Sequence, residues 1–217
     1  MDNSTLINQF LDHYWLSSGA SQNTLSAYRS DLKLFANWFD QPLTNVSDQT
    51  IKNYFEHRQL NSMSTATQAR ILTCLRAFYL HLLTSKIIDQ DPTAKLHHPK
   101  QAQKLPIFLN IDEVDQLLSA PDQKTIFGQR DRAMLELLYS CGLRVSELIN
   151  LSYHNINLNE EYIRIHGKGN KERVLPMGEV AMDHLANYEK NARPYLLKNG
   201  QTDGYFLSNR GTSMSRQ

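Results

Sequence analysis

The sequence predicts a mainly α-helical chain of two parts with one small β-sheet, and three observations carry that expectation. Apolar residues recur every three to four positions through most of the first hundred residues, where no segment alternates with period two. Residues 89–106 then interrupt the periodicity with three prolines and two histidines. Strand-forming residues cluster only later, on either side of the polar loop GKGNKE.

The elements follow in order. Residues 4–18 place Leu6, Ile7, Phe10, Leu11 and Tyr14 on one helical face. After Gly19, Ser21 or Asn23 caps a second helix, 23–40, with Leu25, Tyr28, Leu32, Phe35 and Phe39 inward until Pro42 stops it. A third helix, about 47–60, starts at Ser47 or Asp48 and turns Ile51, Tyr54 and Phe55 inward. The fourth, 64–86, carries the longest stripe: Ile71, Leu72, Leu75, Phe78, Tyr79 and Leu82. Together they make a small helical bundle, and 89–106 reads as an extended interdomain linker. Asn110 and Glu113 then form a capping box for a helix with Val114, Leu117 and Leu118 inward. Helices over 129–141 and 144–151 flank the break at Gly142-Leu143. Tyr162, Ile163 and Ile165 pair with Val174 and Leu175 as a hairpin, a helix covers about 178–197, and Tyr205-Phe206-Leu207 is expected to be a further short strand.

Composition bounds the function. At 217 residues and 41% hydrophobic, the chain can bury a real core, so disorder is a poor description. Apolar runs are short and interrupted, which excludes a membrane-spanning helix, and MDNSTLINQF lacks the pattern of a secretory signal. Cys74 and Cys141 lie within apolar helical patterns and are expected to be small core residues in a reducing compartment. A net charge of +1 taken alone argues weakly against nucleic acid. Placement matters more: there are ten basic and eight acidic residues in 1–104, and thirteen and fourteen in 105–217, with the basic groups gathered on particular helix faces and at the hairpin tip.

Several side chains are candidates for chemistry. Arg144 follows the helix break in GLRVSELINL and lies three residues from Glu147, so both share one face. An arginine so placed can offer its planar fork to a phosphate, although an ordinary surface ion pair satisfies the same spacing. Glycines flank Lys168 in GKGNKER, exposing an ammonium that can neutralise a phosphate or protonate a leaving oxygen, or simply sit on a solvated hairpin tip. Arg29 and Lys33 lie four apart opposite the apolar stripe of their helix. Arg70 and Arg76 lie among Thr65, Thr67, Gln68 and Thr73 on the fourth helix. Such donors on rigid helices suit DNA phosphates and base edges, or an ordinary wet face. The eight histidines show no ligand spacing, and no metal is assigned.

GLRVSEL at 142–148, followed by GKGNKER and VLP, resembles the tyrosine recombinases, or phage-integrase family. NTLSAYRSDL (23–32), TQARILTCLRAFYLHLL (67–83) and DPTAKLHHPK (91–100) resemble the family's core-binding domain, so that the likeness covers essentially all of the chain. It implies an N-terminal four-helix, SAM-like core-binding domain over 1–88, a linker over 89–106, and the N-terminal part of a mixed α/β catalytic domain over 107–217. It also implies roles. Arg144 matches the first catalytic arginine, which holds the scissile phosphate, and Lys168 the hairpin lysine that protonates the departing 5′-oxygen. Glu147 matches a supporting acidic position, and Arg29, Lys33, Arg70 and Arg76 fall on the DNA-binding half. Family members cut DNA with a tyrosine, form a 3′-phosphotyrosyl link and rejoin strands through a Holliday junction, with no cofactor. The partners implied are a double-stranded recombination site, a sister recombinase in a heterotetramer and an activating DNA translocase, in the bacterial cytoplasm.

One departure sets a further expectation. The family's HxLRH motif and tyrosine nucleophile do not occur in these 217 residues, and Tyr139, Tyr153, Tyr162, Tyr188, Tyr195 and Tyr205 stand in segments that match structural positions. The chain by itself is therefore expected to bind DNA without cleaving it. A non-catalytic DNA-binding module or a truncated regulator of recombination is the alternative, and a helical protein–protein adaptor a more distant one.

Overall fold

Short hydroxyl and carboxylate side chains begin the first four helices. In the computed structural model, which describes residues 2–100, 108–167, 172–198 and 200–216, the chain divides into two compact units, Met1–Leu105 and Pro106–Gln217. In the first unit, Asp2 caps α1 (Asn3–Ser18), Ser21 caps α2 (Gln22–Phe39), Ser47 caps α3 (Asp48–Leu60) and Ser64 caps α4 (Thr65–Thr84). Each side chain accepts a backbone N–H from the first helical turn, where no intrahelical partner exists.

The apolar faces of these helices meet in one core. Phe10, Leu32, Phe35, Ile51, Tyr54, Leu72 and Phe78 are all at most 1% exposed. Phe10 meets Phe78 edge-on with ring centroids 5.5 Å apart, and Phe35 meets Tyr54 at 4.9 Å. Truncating such a buried ring costs about 3–5 kcal/mol, because a cavity adds to the lost transfer energy. Among the described residues, one charged group lies inside this unit. Asp31 of α2 is 4% exposed, and its carboxylate accepts a hydrogen bond from the Arg70 guanidinium of α4. Burial raises the Asp31 pKa, and the Arg70 charge opposes that rise.

The stretch expected to be an extended linker is different through residue 96. Thr93 and Leu96 are buried, and Leu96 joins the first unit's core. The Asp91 carboxylate accepts both the Thr93 N–H and the Thr93 hydroxyl at 2.7 Å, closing a turn. Arg76 then donates to the Leu96 carbonyl. A local Asp–Thr turn, invisible to apolar periodicity, folds this segment onto α4.

In the second unit, α5 (Ile111–Ser119) begins with the predicted box: the Glu113 carboxylate accepts from Asn110 N–H at 2.8 Å, and Asn110 Oδ1 accepts from Glu113 N–H at 2.9 Å. Leu118 faces inward, but Leu117 is 47% exposed, in contrast to the expected face. α6 (Ile126–Cys141) ends at Gly142, whose φ of 59° is a left-handed conformation that glycine adopts without strain. α7 (Val145–Ile149) follows at once, with Arg144 as its N-cap residue. β1 (Ile156–Asn157), β2 (Tyr162–His166) and β3 (Glu172–Pro176) form an antiparallel sheet in the order β1-β2-β3. In its register Ile163 faces Leu175 and Ile165 faces Arg173. α8 (Glu179–Asn187), a π-helical turn (Tyr188–Ala192) and α9 (Arg193–Leu197) close against α6.

The third strand is not where the sequence placed it. Among the described residues Tyr205–Leu207 forms no named strand, only isolated bridges from Gly204 to Ser152 and from Leu207 to Ser213. Side chains take some of the groups a ladder would use, while Tyr205 N–H donates to the Leu151 carbonyl and the Phe206 carbonyl accepts from Met214 N–H. Tyr188 Oη donates to the Tyr205 carbonyl at 3.0 Å and accepts from Leu207 N–H at 3.1 Å. Arg193 also donates to the Tyr205 and Gly204 carbonyls. The segment is an extended strap laced to the π-helical turn.

The Asp31–Arg70 pair makes a stability prediction. Arg70→Ala strands a buried carboxylate and is expected to lower unfolding free energy by about 2 kcal/mol. Lys33→Ala, at an exposed position of α2, is expected to change it by less than about 0.5 kcal/mol. Urea unfolding of both variants reads the difference, and equal effects would contradict it.

Candidate functional site

The site is built around one acidic side chain. Glu147 is the third residue of α7, so its carboxylate can turn back to the helix start. It accepts the Arg144 backbone N–H at 2.8 Å and an Arg144 guanidinium N–H at 3.0 Å. Arg173, from β3, adds two more bonds, at 3.0 Å to Oε1 and 2.8 Å to Oε2. A carboxylate has about four lone-pair sites, and here all are used. Only 6% of the Glu147 side chain is exposed, against 72% for Arg144 and 36% for Arg173.

The electrostatics follow from that geometry. The paired hydrogen bonds from Arg173, with those from Arg144, hold the Glu147 carboxyl at about 2 despite its burial. In return Glu147 raises the Arg173 pKa. Arg144 thus spends its backbone N–H and one guanidinium edge on Glu147 while the rest of the side chain lies in solvent. A planar, exposed guanidinium with one edge fixed is well suited to a second anion with two oxygens to offer.

Arg173 is the residue that sequence reasoning left without a role. Strand parity carried the signal. Arg173 shares a face with Leu175, opposite the buried Ile163 and Ile165, while Glu172, Val174 and Pro176 are exposed. A charged residue on the inward face of a strand requires a partner, and Glu147 supplies it.

The other candidates are placed as follows. Lys168 lies outside the described residues, as do residues 169–171, which fall between Gly167 and the first residue of β3, Glu172. Arg29 and Lys33 are both exposed on α2; Arg29 donates to Asn8 Oδ1 of α1, and Lys33 forms no ion pair among the described residues. Arg70 is tied to Asp31, which lies between Arg29 and Lys33 in α2, and Arg76 to the Leu96 carbonyl. Both arginines of α4 therefore have internal partners that the sequence pattern did not reveal. Among the described residues, no group of three or more His, Cys, Asp or Glu is arranged to hold a metal ion. No helix among them is long and apolar enough to cross a membrane.

Comparison with known proteins matches residues 108–217 to the phage integrase family and residues 7–86 to the phage integrase N-terminal SAM-like domain. A tyrosine recombinase XerD of Pseudomonas putida is 42% identical over 215 residues, 98% of this chain and 72% of the relative. The chain belongs to the phage integrase family of tyrosine recombinases. Staphylococcus aureus XerD is 39% identical over 217 residues, 98% of this chain and 74% of the relative. Among solved structures, a lambda integrase tetramer bound to a Holliday junction shares the fold with a TM-score of 0.72 at 18% identity, covering 98% of this chain and 59% of that one. The Tn1549 transposon integrase with circular intermediate DNA gives 0.69 at 16% identity, covering 97% and 73%. The integrase architecture, a SAM-like helical unit followed by a mixed α/β unit with a small antiparallel sheet, is the one the sequence predicted.

Glu147 also makes a pH prediction. Its folded pKa lies below the ordinary glutamate value, so its contribution to stability is complete above pH 4.5 and is lost as pH falls toward 2. Thermal unfolding of the wild-type chain and Glu147→Gln over that window is expected to converge at the acid end. A difference that stays constant with pH would contradict the assignment.

Proposed function

We propose that the chain is the DNA-holding part of a XerD-like site-specific recombinase. Such an enzyme cuts and rejoins DNA through a 3′-phosphotyrosyl intermediate in the resolution of chromosome dimers. One observation carries the reading to specific atoms: the solvent-exposed Arg144 guanidinium, fixed along one edge by the buried Glu147. A phosphodiester under attack gains negative charge on its non-bridging oxygens, and a cation already held in place stabilises that charge with little reorganisation. In this reading Arg144 grips the scissile phosphate, Glu147 orients it, and Lys168 protonates the departing 5′-oxygen. Residues 1–88 clamp the duplex with 89–96 folded onto them, the remainder of 89–106 leads to the second part, and 107–217 present the phosphate-binding groups.

On the DNA-binding half, Arg29 and Lys33 are the freer cations. Arg70 and Arg76 join them through whatever donors their internal partners leave over. The net charge of +1 is no obstacle, since binding depends on where the cations stand.

A polypeptide of these 217 residues binds DNA in this account but does not cleave it. Tyr188 and Tyr205 are buried, and burial pushes the Tyr188 phenol up to about 12 and raises Tyr205 as well. Neither hydroxyl is available as a nucleophile. The second reading is a DNA-binding module that occupies recombination sites without catalysis. The partners proposed are a double-stranded recombination site, a sister XerC-like recombinase in a heterotetramer and a DNA translocase activator, at the bacterial nucleoid in the cytoplasm. Relatives named XerD and the lambda integrase tetramer bound to a Holliday junction support the DNA partner and an assembly of several protomers.

Gel shifts against salt test the DNA reading. Binding to a recombination-site duplex is expected to weaken with a log–log slope of about −0.9 per phosphate neutralised. Arg144→Ala is expected to lower affinity about fivefold and the slope by about one unit. Flat salt dependence would contradict the reading. Incubation with a nicked site is expected to leave no covalent protein–DNA adduct; an adduct would overturn the non-cleaving state.

A further inference from the structure

Two arginines of the first unit share the field of one buried acid. Arg70, in the second turn of α4, donates to the Asp31 carboxylate of α2; 45% of the Arg70 side chain is exposed, against 6% for Asp31. Arg58, in the last turn of α3, is partly buried, and its guanidinium carbon lies 6.0 Å from the centroid of the Tyr54 ring. Gln59 Nε2 donates to Gln68 Oε1 at 3.1 Å and ties the end of α3 to the start of α4. Burial raises the Asp31 pKa, and the charges of Arg70 and then Arg58 oppose that rise. Burial likewise raises the Tyr54 phenol, with Arg58 opposing the rise and Asp31 adding to it. Tyr54 is 1% exposed, and among the described residues its hydroxyl has no hydrogen-bond partner.

The charges here do not balance. Among the described residues Arg58 forms no ion pair, and Arg70 pairs only with Asp31. One carboxylate beside two guanidinium groups leaves an excess positive charge at this surface. The C-terminal end of a helix favours a cation such as Arg58 but gives it no counter-ion. A guanidinium with one edge fixed and another in water is suited to an anion with two oxygens to offer.

We propose that Arg58 and Arg70 form a clamp for a DNA phosphate on the first unit, with Asp31 as its positioning residue. Asp31 holds Arg70 by one edge, and the Tyr54 ring supports the Arg58 guanidinium from below. The proposal rests on the reading that the first unit binds DNA. It adds to that reading a cation, Arg58, and an acid that orients its neighbour.

Asp31 separates positioning from simple charge, because the two give opposite signs. Removing a negative charge near DNA strengthens binding by electrostatics alone. Releasing a pre-oriented arginine weakens it. The test reads the affinity of the 217-residue chain for one recombination-site duplex across a salt series, with urea unfolding of each variant as the check on folding. Arg58→Ala is expected to lose about fivefold in affinity and to lower the log–log slope by about one unit. Lys52→Ala removes the same charge from α3 at a residue paired with Asp48, and is expected to change affinity by less than about twofold. Asp31→Asn is expected to lose about threefold.

Arg58→Ala with wild-type affinity and slope would overturn the proposal. Equal losses from Arg58→Ala and Lys52→Ala would also overturn it, since only net charge would then count. Tighter binding by Asp31→Asn would defeat the positioning role. Flat salt dependence in the wild-type chain would instead remove the DNA reading itself, and the proposal with it. Should Asp31→Asn fail to fold, Arg70→Lys supplies the second measurement. It keeps the charge but not the fork, and is expected to lose about threefold with the slope unchanged. Full affinity in Arg70→Lys would mean that the orientation set by Asp31 is not used, which defeats the proposal.

Discussion

A single carboxylate with all its acceptor sites filled organises the second unit. Glu147 is almost completely withdrawn from water, and an isolated buried carboxylate costs several kcal/mol. Four N–H donors from Arg144 and Arg173 offset that cost. The arrangement is stable only while both arginines are present, so it joins α7 to β3 and leaves the exposed part of Arg144 facing solvent. No apolar contact could do the same, because apolar packing has no preferred direction for a planar cation. A glutamine at 147 would present an NH2 group to donors and leave part of the set without an acceptor.

The first unit uses the same chemistry for a different end. Asp31 is buried, and its bond from Arg70 connects α2 to α4. Arg70 therefore serves the fold. Arg76 does likewise, fastening the turn at Asp91–Leu96. Arg29 and Lys33 are left as the more available cations of α2.

Much of this was legible in the sequence because it depends on local rules. Apolar spacing located α1 to α4, with Ser21 and Ser47 among the caps expected for α2 and α3, and the Asn110–Glu113 box located α5. The turn at Gly142 placed Arg144 at the head of α7, and the motifs GLRVSEL and GKGNKER identified the family. What escaped depends on contacts between distant residues. Tyr205–Leu207 has the composition of a strand, yet the Tyr188 hydroxyl and Arg193 take the Tyr205 carbonyl, and Tyr188 also the Leu207 N–H. The segment after Asp89 looked like a linker because one Asp–Thr turn and one buried leucine leave no periodic trace. Arg173 looked like one of several hairpin cations, and only its strand parity sets it apart. Lys168 lies outside the described residues, so its place in the site rests on the motif.

The central claim is that Arg144 meets DNA while Arg173 holds Glu147 in place. NMR of arginine Nε–H groups during titration with a recombination-site duplex tests it most directly. The account predicts a large, saturable shift for Arg144, with Arg173 retaining the position set by Glu147. A silent Arg144 beside a shifted Arg173 resonance would contradict it.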